Sequence, residues 1–192
     1  LGARGCGKST LLASMYYALR NLNTAQLTVK IDDAVESAEM LTRKERLLNV
    51  FALRKGNSWM EPDYFSRQAK YHSIIEVTLS QHLTFKMNVV EVPGSEFQDC
   101  ITTTTVETIR QTQVFIIVID TPWLMEKGRQ GVRHNDVQII TDLLIQVFSE
   151  DEKNEDKLLL FVPMKCEKYF NAGRMKDVNS RIKEVYADLT GT

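Results

Sequence analysis

The residues best suited to chemistry stand at the start of the chain. Gly2-Ala3-Arg4-Gly5-Cys6-Gly7-Lys8-Ser9 fits G-x-x-x-x-G-K-[ST] at every fixed position. Each residue type has a reason to be there. Glycines let the backbone curl until successive N–H groups point inward at phosphate oxygens. A helix starting near Lys8 adds its positive end. The Lys8 ammonium reaches β- and γ-phosphates, the Ser9 hydroxyl suits Mg²⁺, and Thr10 follows for the α-phosphate side. A random chain of this length shows the pattern roughly once in a hundred, so chance is a poor account of it. Arg4 is a variable loop position, read as facing solvent or touching phosphate, and Cys6 as a small side chain that the loop accommodates.

A phosphate-bound Mg²⁺ also needs an acid at the end of a strand. Glu91 is one candidate, closing the run Val89-Val90-Glu91 just before Pro93-Gly94. Asp120 is another, closing Val114–Ile119; it reads either as the metal acid of an ATPase or as an ordinary strand-end acid. His72, His82 and His134 have no metal-ligand spacing. The three cysteines, Cys6, Cys100 and Cys166, are far apart, odd in number and form no CxxC pair, so they suggest neither a disulfide framework nor a zinc knuckle and fit a reducing, cytoplasmic compartment.

The elements that must hold these residues follow from periodicity. Leu11–Arg20 reads as a well-buried helix, Leu27–Ile31 as a short strand and Ala34–Arg54 as a helix ended by Gly56-Asn57. Asn57–Arg67 is a loop with Trp59, Tyr64 and Phe65. Ile75, Val77 and Leu79, then Leu83, Phe85, Met87 and Val89, alternate with polar residues across Gln81-His82, which predicts a hairpin. Thr102–Arg110 is a helix with hydroxyls at its start. Val114–Ile119 and Leu158–Val162 are continuous apolar runs, as in buried parallel strands. Asp136–Phe148 and the face Val178, Ile182, Val185, Tyr186 and Leu189 predict two more helices, with a charged loop over 149–157 between strand and helix.

Apolar strands alternating with helices predict an α/β fold. The expected form is the three-layer P-loop NTPase fold: a mostly parallel sheet, one antiparallel hairpin strand and helices on both faces. The 192 residues suit one domain, 1–192, with an extra strand and helix inserted at about 24–56. Because the motif starts at Gly2, the strand before it is expected to be truncated, and a further strand and helix are expected after Thr192. The composition is that of an average globular protein: 43% hydrophobic and 26% charged, with 24 basic and 25 acidic residues. A net charge of −1 provides no general field for nucleic acid or an anionic membrane, and no apolar run reaches the length of a membrane span.

Together these residues resemble the translation-factor-like branch of P-loop GTPases. The details are most similar to the bacterial double-GTPase families: GARGCGKST over 2–10, the extra strand and helix over 27–54, EVPGSEF over 91–97 and FVPMKCEKYF over 161–170. The resemblance implies binding of GTP and GDP with Mg²⁺, slow hydrolysis and a switch role in bacterial conflict or signalling, beside a protein partner or second GTPase module. It places Glu91 and Gly94 on the family's D-x-x-G pattern, with the Gly94 N–H on the γ-phosphate. It places Lys165 and Glu167 on the [NT]-K-x-D pattern that reads guanine, with Met164 in the Asn/Thr place.

The departures matter. Ser95 and Glu96 follow Gly94 where many signalling GTPases carry a water-orienting Gln, so turnover is expected to be slow or partner-dependent. The switch hydroxyl is left open among Ser58, Ser66 and Thr42, with Ser58, Ser95 and Glu96 as switch residues. Two other readings stand beside this one: an ATP-using P-loop protein, and a nucleotide-binding scaffold that hydrolyses nothing.

Overall fold

The computed structural model describes residues 1–20, 27–31, 71–79, 83–99, 101–126, 128–150 and 156–191. The helix expected over 34–54 and the loop over 57–67, with Thr42, Ser58, Trp59, Tyr64, Phe65 and Ser66, lie outside the described residues, as do Gln81, His82 and Cys100. The chain is an α/β protein. It divides into two compact units, one of residues 1–7 and 92–192, the other of residues 8–91. The chain therefore crosses between units at Gly7-Lys8 and again at Glu91-Val92, inside both of the segments singled out above.

The unit of residues 8–91 contains helix α1 (Lys8–Arg20) and strands β1 (Leu27–Ile31), β2 (Tyr71–Leu79) and β3 (Leu83–Glu91). The strands form one antiparallel sheet in the order β1-β2-β3. Val29 lies opposite Val77, and Val77 opposite Phe85. The hairpin is thus as its alternation predicts. The short strand at Leu27 is also antiparallel, so this part of the fold is a three-stranded antiparallel sheet rather than a single hairpin strand added to a parallel one. That register puts Leu27 and Val29 opposite Leu79 and Val77, apolar on apolar.

Val29, Ile75 and Val77 are buried together, with Leu19, Leu27, Met87 and Val89 packed against them. Leu19 reaches this cluster from α1. The helix is less buried than its composition suggests: Leu11, Leu12, Met15 and Leu19 are half-buried, and Ser14 and Ala18 are exposed. The apolar run of β3 also outlasts its packed face, since Leu83 and Phe85 are exposed.

The unit of residues 1–7 and 92–192 is built on two parallel strands, β4 (Val114–Asp120) and β5 (Leu158–Met164), in register from Val114↔Leu158 to Asp120↔Met164. Leu1 extends this ladder on the other side of β4. Its amino group donates to the Ile116 carbonyl at 2.7 Å, and the Val118 N–H donates to the Leu1 carbonyl at 2.8 Å. The helices are α2 (Gly94–Asp99), α3 (Thr103–Arg110), α4 (Thr121–Leu124), α5 (Arg129–His134), α6 (Val137–Ser149), α7 (Ala172–Val185) and α8 (Ala187–Thr190). Of these, α2, α4 and α5 were not legible in the sequence, being four to six residues long.

Local chemistry explains the longer ones. The Thr102 hydroxyl accepts from the Thr105 N–H at 3.2 Å and caps α3. Asn171 caps α7 in the same way, accepting from the Arg174 N–H at 3.0 Å. On α6, Val137, Ile140, Leu144 and Val147 share the buried face. They pack with Ile109, Phe115, Ile117, Ile119, Val178, Ile182 and Tyr186 into one core. Each such side chain contributes about 1.5–3 kcal/mol by leaving water. Strand β4 is buried along most of its length, as its apolar run predicts. Strand β5 is not: Leu158 and Leu160 are exposed, because among the described residues β5 pairs only with β4.

Candidate functional site

The first half of the phosphate-loop motif belongs to the unit of residues 1–7 and 92–192. Gly2, Gly5 and Gly7 all take positive φ, at 147°, 78° and 107°. Ala3 and Cys6 are buried, and the Cys6 N–H donates to the Ala3 carbonyl at 3.4 Å across the turn. Arg4 and Gly5 form the exposed tip. At Gly2 glycine is required twice over: by its φ, and because a Cβ there would stand 2.6 Å from the Val118 carbonyl oxygen and 2.9 Å from Cys6 Sγ. The loop therefore lies against the C-terminal end of β4. The Gly7 backbone lies against the Met164 side chain, at the end of β5, with a Cβ position 3.3 Å from its terminal carbon. The C-terminal ends of parallel strands are where open α/β sheets bind their ligands.

Gly94 closes on the same loop. A Cβ on Gly94 would fall 2.5 Å from the Arg4 nitrogen and 2.9 Å from the Ala3 carbonyl carbon. Gly94 is also the first residue of α2, whose Glu96 N–H donates to the Pro93 carbonyl at 3.1 Å. The Glu96 carboxylate accepts a hydrogen bond from the Thr105 hydroxyl, so the segment after Gly94 is tied to the first turn of α3. Ser95 and Glu96 are half-buried and Thr105 is fully buried.

The second half of the motif belongs to the unit of residues 8–91. Lys8 opens α1 and is buried, and Ser9 and Thr10 follow half-buried in its first turn. No acidic residue stands in that turn to offset the positive helix end. Strand parity places Glu91 on the same side as Met87 and Val89, the packed side, and Glu91 is buried. The Ser9 hydroxyl donates to Glu91 Oε1 at 3.0 Å. A neutral and an anionic oxygen this close, both hard donors, fit a small cation such as Mg²⁺, which takes one or two protein oxygens and completes its shell with phosphate and water. Among the described residues no group of three or more His, Cys, Asp or Glu is placed to hold a metal by itself, as a structural zinc site requires.

The third group lies past the ends of β4 and β5. Asp120 is 1% exposed and caps α4, its Oδ1 accepting from the Trp123 N–H at 3.4 Å. Its backbone is held on both sides by the Asn135 amide: the Asp120 N–H donates to Asn135 Oδ1 at 2.7 Å, and Asn135 Nδ2 donates to the Asp120 carbonyl at 3.2 Å. Asn135 also donates to the Gly131 carbonyl at 3.0 Å. Lys165 takes a left-handed φ of 58°, and its ammonium pairs with Asp120 Oδ2. The neighbouring residues repeat the link: Thr121 Oγ1 and Cys166 Sγ are 3.2 Å apart. His134 stacks on Trp123 with ring centroids 4.4 Å apart, its Nε2 3.8 Å from Asp120 Oδ2. Glu167 is exposed at the start of a 3₁₀ turn, Glu167–Tyr169. Sequence reasoning named Lys165 and Asp120 separately and missed their pairing. It missed Asn135 altogether, since an isolated asparagine outside any motif carries no signal.

Ser58 lies outside the described residues. No helix among the described residues is long and apolar enough to cross a membrane. Comparisons with protein-family models, with curated proteins and with solved structures each give no match.

Proposed function

We propose that this chain binds GTP with Mg²⁺ through residues 2–10 and hydrolyses it slowly, acting as a nucleotide-controlled switch on the three-layer frame of P-loop NTPases. The observation that carries this reading is the run of three positive-φ glycines leading directly into α1 at Lys8. Such a run turns backbone N–H groups toward one centre, and a following helix adds its positive end; both favour a polyphosphate. The Lys8 ammonium offsets charge developing on the β- and γ-phosphates. The Ser9 hydroxyl and Glu91 carboxylate hold the metal. Bound Mg²⁺ neutralises phosphate charge and draws electron density toward the leaving group. The Gly94 N–H takes a γ-phosphate oxygen, so loss of that phosphate releases the turn that Gly94 begins.

Lys165 lays its stem along the base, and Glu167 accepts from the guanine N1 and N2 donors. The Glu96 carboxylate is engaged by Thr105. This favours slow turnover, or turnover completed by a group from a protein partner or second GTPase module, in the bacterial conflict or signalling setting that the family resemblance implies.

Calorimetric titration with non-hydrolysable GTP and ATP analogues, with and without Mg²⁺, tests the reading. Binding of the GTP analogue that is lost in Lys8→Ala and weakened in Glu167→Ala is the expected result. Equal or tighter ATP binding moves the chain to the ATPase reading. Binding without turnover above the Lys8→Ala background leaves a nucleotide-binding scaffold.

A further inference from the structure

Lys165 is a half-exposed side chain at the mouth of two strands, 47% exposed. Left to itself, a lysine stem of four carbons samples many rotamers and holds no plane for a ligand. Two features remove that freedom. Its backbone sits in the left-handed region, which a side-chain-bearing residue takes only under constraint from its surroundings. Its ammonium is paired with Asp120.

The pair is unequal. Asp120 is buried, its backbone is held on both sides by Asn135, and its second carboxylate oxygen caps α4. The carboxylate is the fixed member and the lysine is the member that it fixes. The link one residue further on, Thr121 to Cys166, ties the two strand ends at the same place.

We propose that Asp120 is a positioning residue: it orients the Lys165 stem for the nucleoside end of the ligand, with Asn135 as its strut. This rests on the guanine-nucleotide reading above. It adds a specificity-determining group from β4 that lies outside the phosphate loop and outside the segment carrying Lys165 and Glu167. Affinity for the nucleoside depends on Asp120, while affinity for the phosphates alone does not.

The test compares GDP with inorganic triphosphate, both titrated with Mg²⁺ into the wild-type chain, Asp120→Asn, Lys165→Ala and the double variant. Asp120→Asn weakens GDP binding about tenfold, a typical coupling within one charged network. It leaves triphosphate binding unchanged. The double variant binds GDP no more weakly than Lys165→Ala alone, because Asp120 acts through Lys165. Lys165→Met keeps the stem and loses the ammonium; it weakens GDP binding as Lys165→Ala does, and decides the matter even where Asp120→Asn fails to fold.

GDP affinity unchanged in Asp120→Asn or in Lys165→Met overturns the proposal and leaves nucleotide binding intact. Additive losses in the double variant, or equal losses of GDP and triphosphate affinity in Asp120→Asn, overturn it as well. A wild-type chain that binds GDP no tighter than triphosphate overturns the base-reading role itself and the proposal with it.

Discussion

Gly94→Ala is the sharpest probe of the contact between the turn after β3 and the phosphate loop. The new Cβ would stand 2.5 Å from the Arg4 nitrogen and 2.9 Å from both the Arg4 Cα and the Ala3 carbonyl carbon. Ordinary van der Waals contact begins near 3.4 Å, so the two segments must part by about an ångström. All three atoms belong to the main chain, so no flexible side-chain end can swing aside. Overpacking of this kind costs about 1–3 kcal/mol, and a clash between two backbones belongs at the upper end.

With a urea m-value of about 2–3 kcal/mol/M for a chain of this size, the unfolding midpoint falls by about 1 M. Gly173→Ala is the matched control. Gly173 is the second residue of α7, and a Cβ there meets only Asn171 Oδ1 at an ordinary 3.8 Å. Removing a helical glycine gains up to about 1 kcal/mol. The same chemical change thus moves the midpoint in opposite directions at the two sites. Nucleotide affinity, measured where both variants are folded, falls in Gly94→Ala only. A Gly94→Ala chain with the wild-type midpoint and affinity would refute the close approach and the role drawn from it.

Three further outcomes follow from the geometry. Asn135→Leu removes three buried hydrogen bonds to Asp120 and Gly131 and takes from the Asp120 backbone groups their Asn135 partners, while the Gly131 carbonyl keeps the residue-135 N–H; this costs about 3 kcal/mol and is read by thermal or urea unfolding. Tyr186→Phe is neutral or slightly stabilising at pH 7, because the buried Tyr186 hydroxyl has no hydrogen-bond partner among the described residues. Burial pushes the Tyr186 phenol well above its ordinary value, with negative charge from Cys6 and Asp136 acting in the same direction. Its contribution to stability is therefore fully present below about pH 10 and is lost as the pH rises above that, where the unfolded chain ionises first; unfolding followed from pH 8 to pH 11 falls more steeply in wild type than in Tyr186→Phe. Ser9→Ala and Glu91→Gln each reduce the Mg²⁺-dependent gain in nucleotide affinity about tenfold or more; Mg²⁺-free binding stays near wild type in Ser9→Ala and tightens in Glu91→Gln, which loses the repelling charge, and an unchanged Mg²⁺ dependence in both would remove the metal from this pair.

What was legible in the sequence was local. Alternation over Ile75–Val89 predicted the β2–β3 hairpin, the run Val114–Ile119 predicted a buried strand, and the spacing of Val137, Ile140, Leu144 and Val147 predicted the inner face of α6. The tight turn over 2–7 was legible because glycine is the residue that takes positive φ readily, a property of single residues. What could not be read was pairing at a distance. Asp120 and Lys165 are 45 positions apart, and two charges in a sequence give no sign that they meet. Gly131 reads as an unremarkable glycine, yet a Cβ there would stand 1.8 Å from the Trp123 carbonyl oxygen. That approach of α5 to α4 sets Asn135 beneath Asp120. Continuous apolar runs also misled: β5 has the composition of a strand covered on both faces, but Leu158 and Leu160 are exposed.

Glu91 lies between these cases. The sequence marks it as a strand-end acid; its burial and its partner come from the structure. The carboxylate receives the Ser9 hydroxyl, and Ser9 stands in the first turn of a helix that carries no acid of its own there. A helix start of this kind attracts an anion, and a buried carboxylate beside it repels one. A divalent cation held by Ser9 and Glu91 would reconcile the two tendencies by offsetting the carboxylate charge. On this arrangement, binding of a polyphosphate without a divalent ion has to overcome the charge of Glu91, whereas binding with one uses it. The proposed switch is therefore metal-dependent at the binding step itself, before any bond is broken.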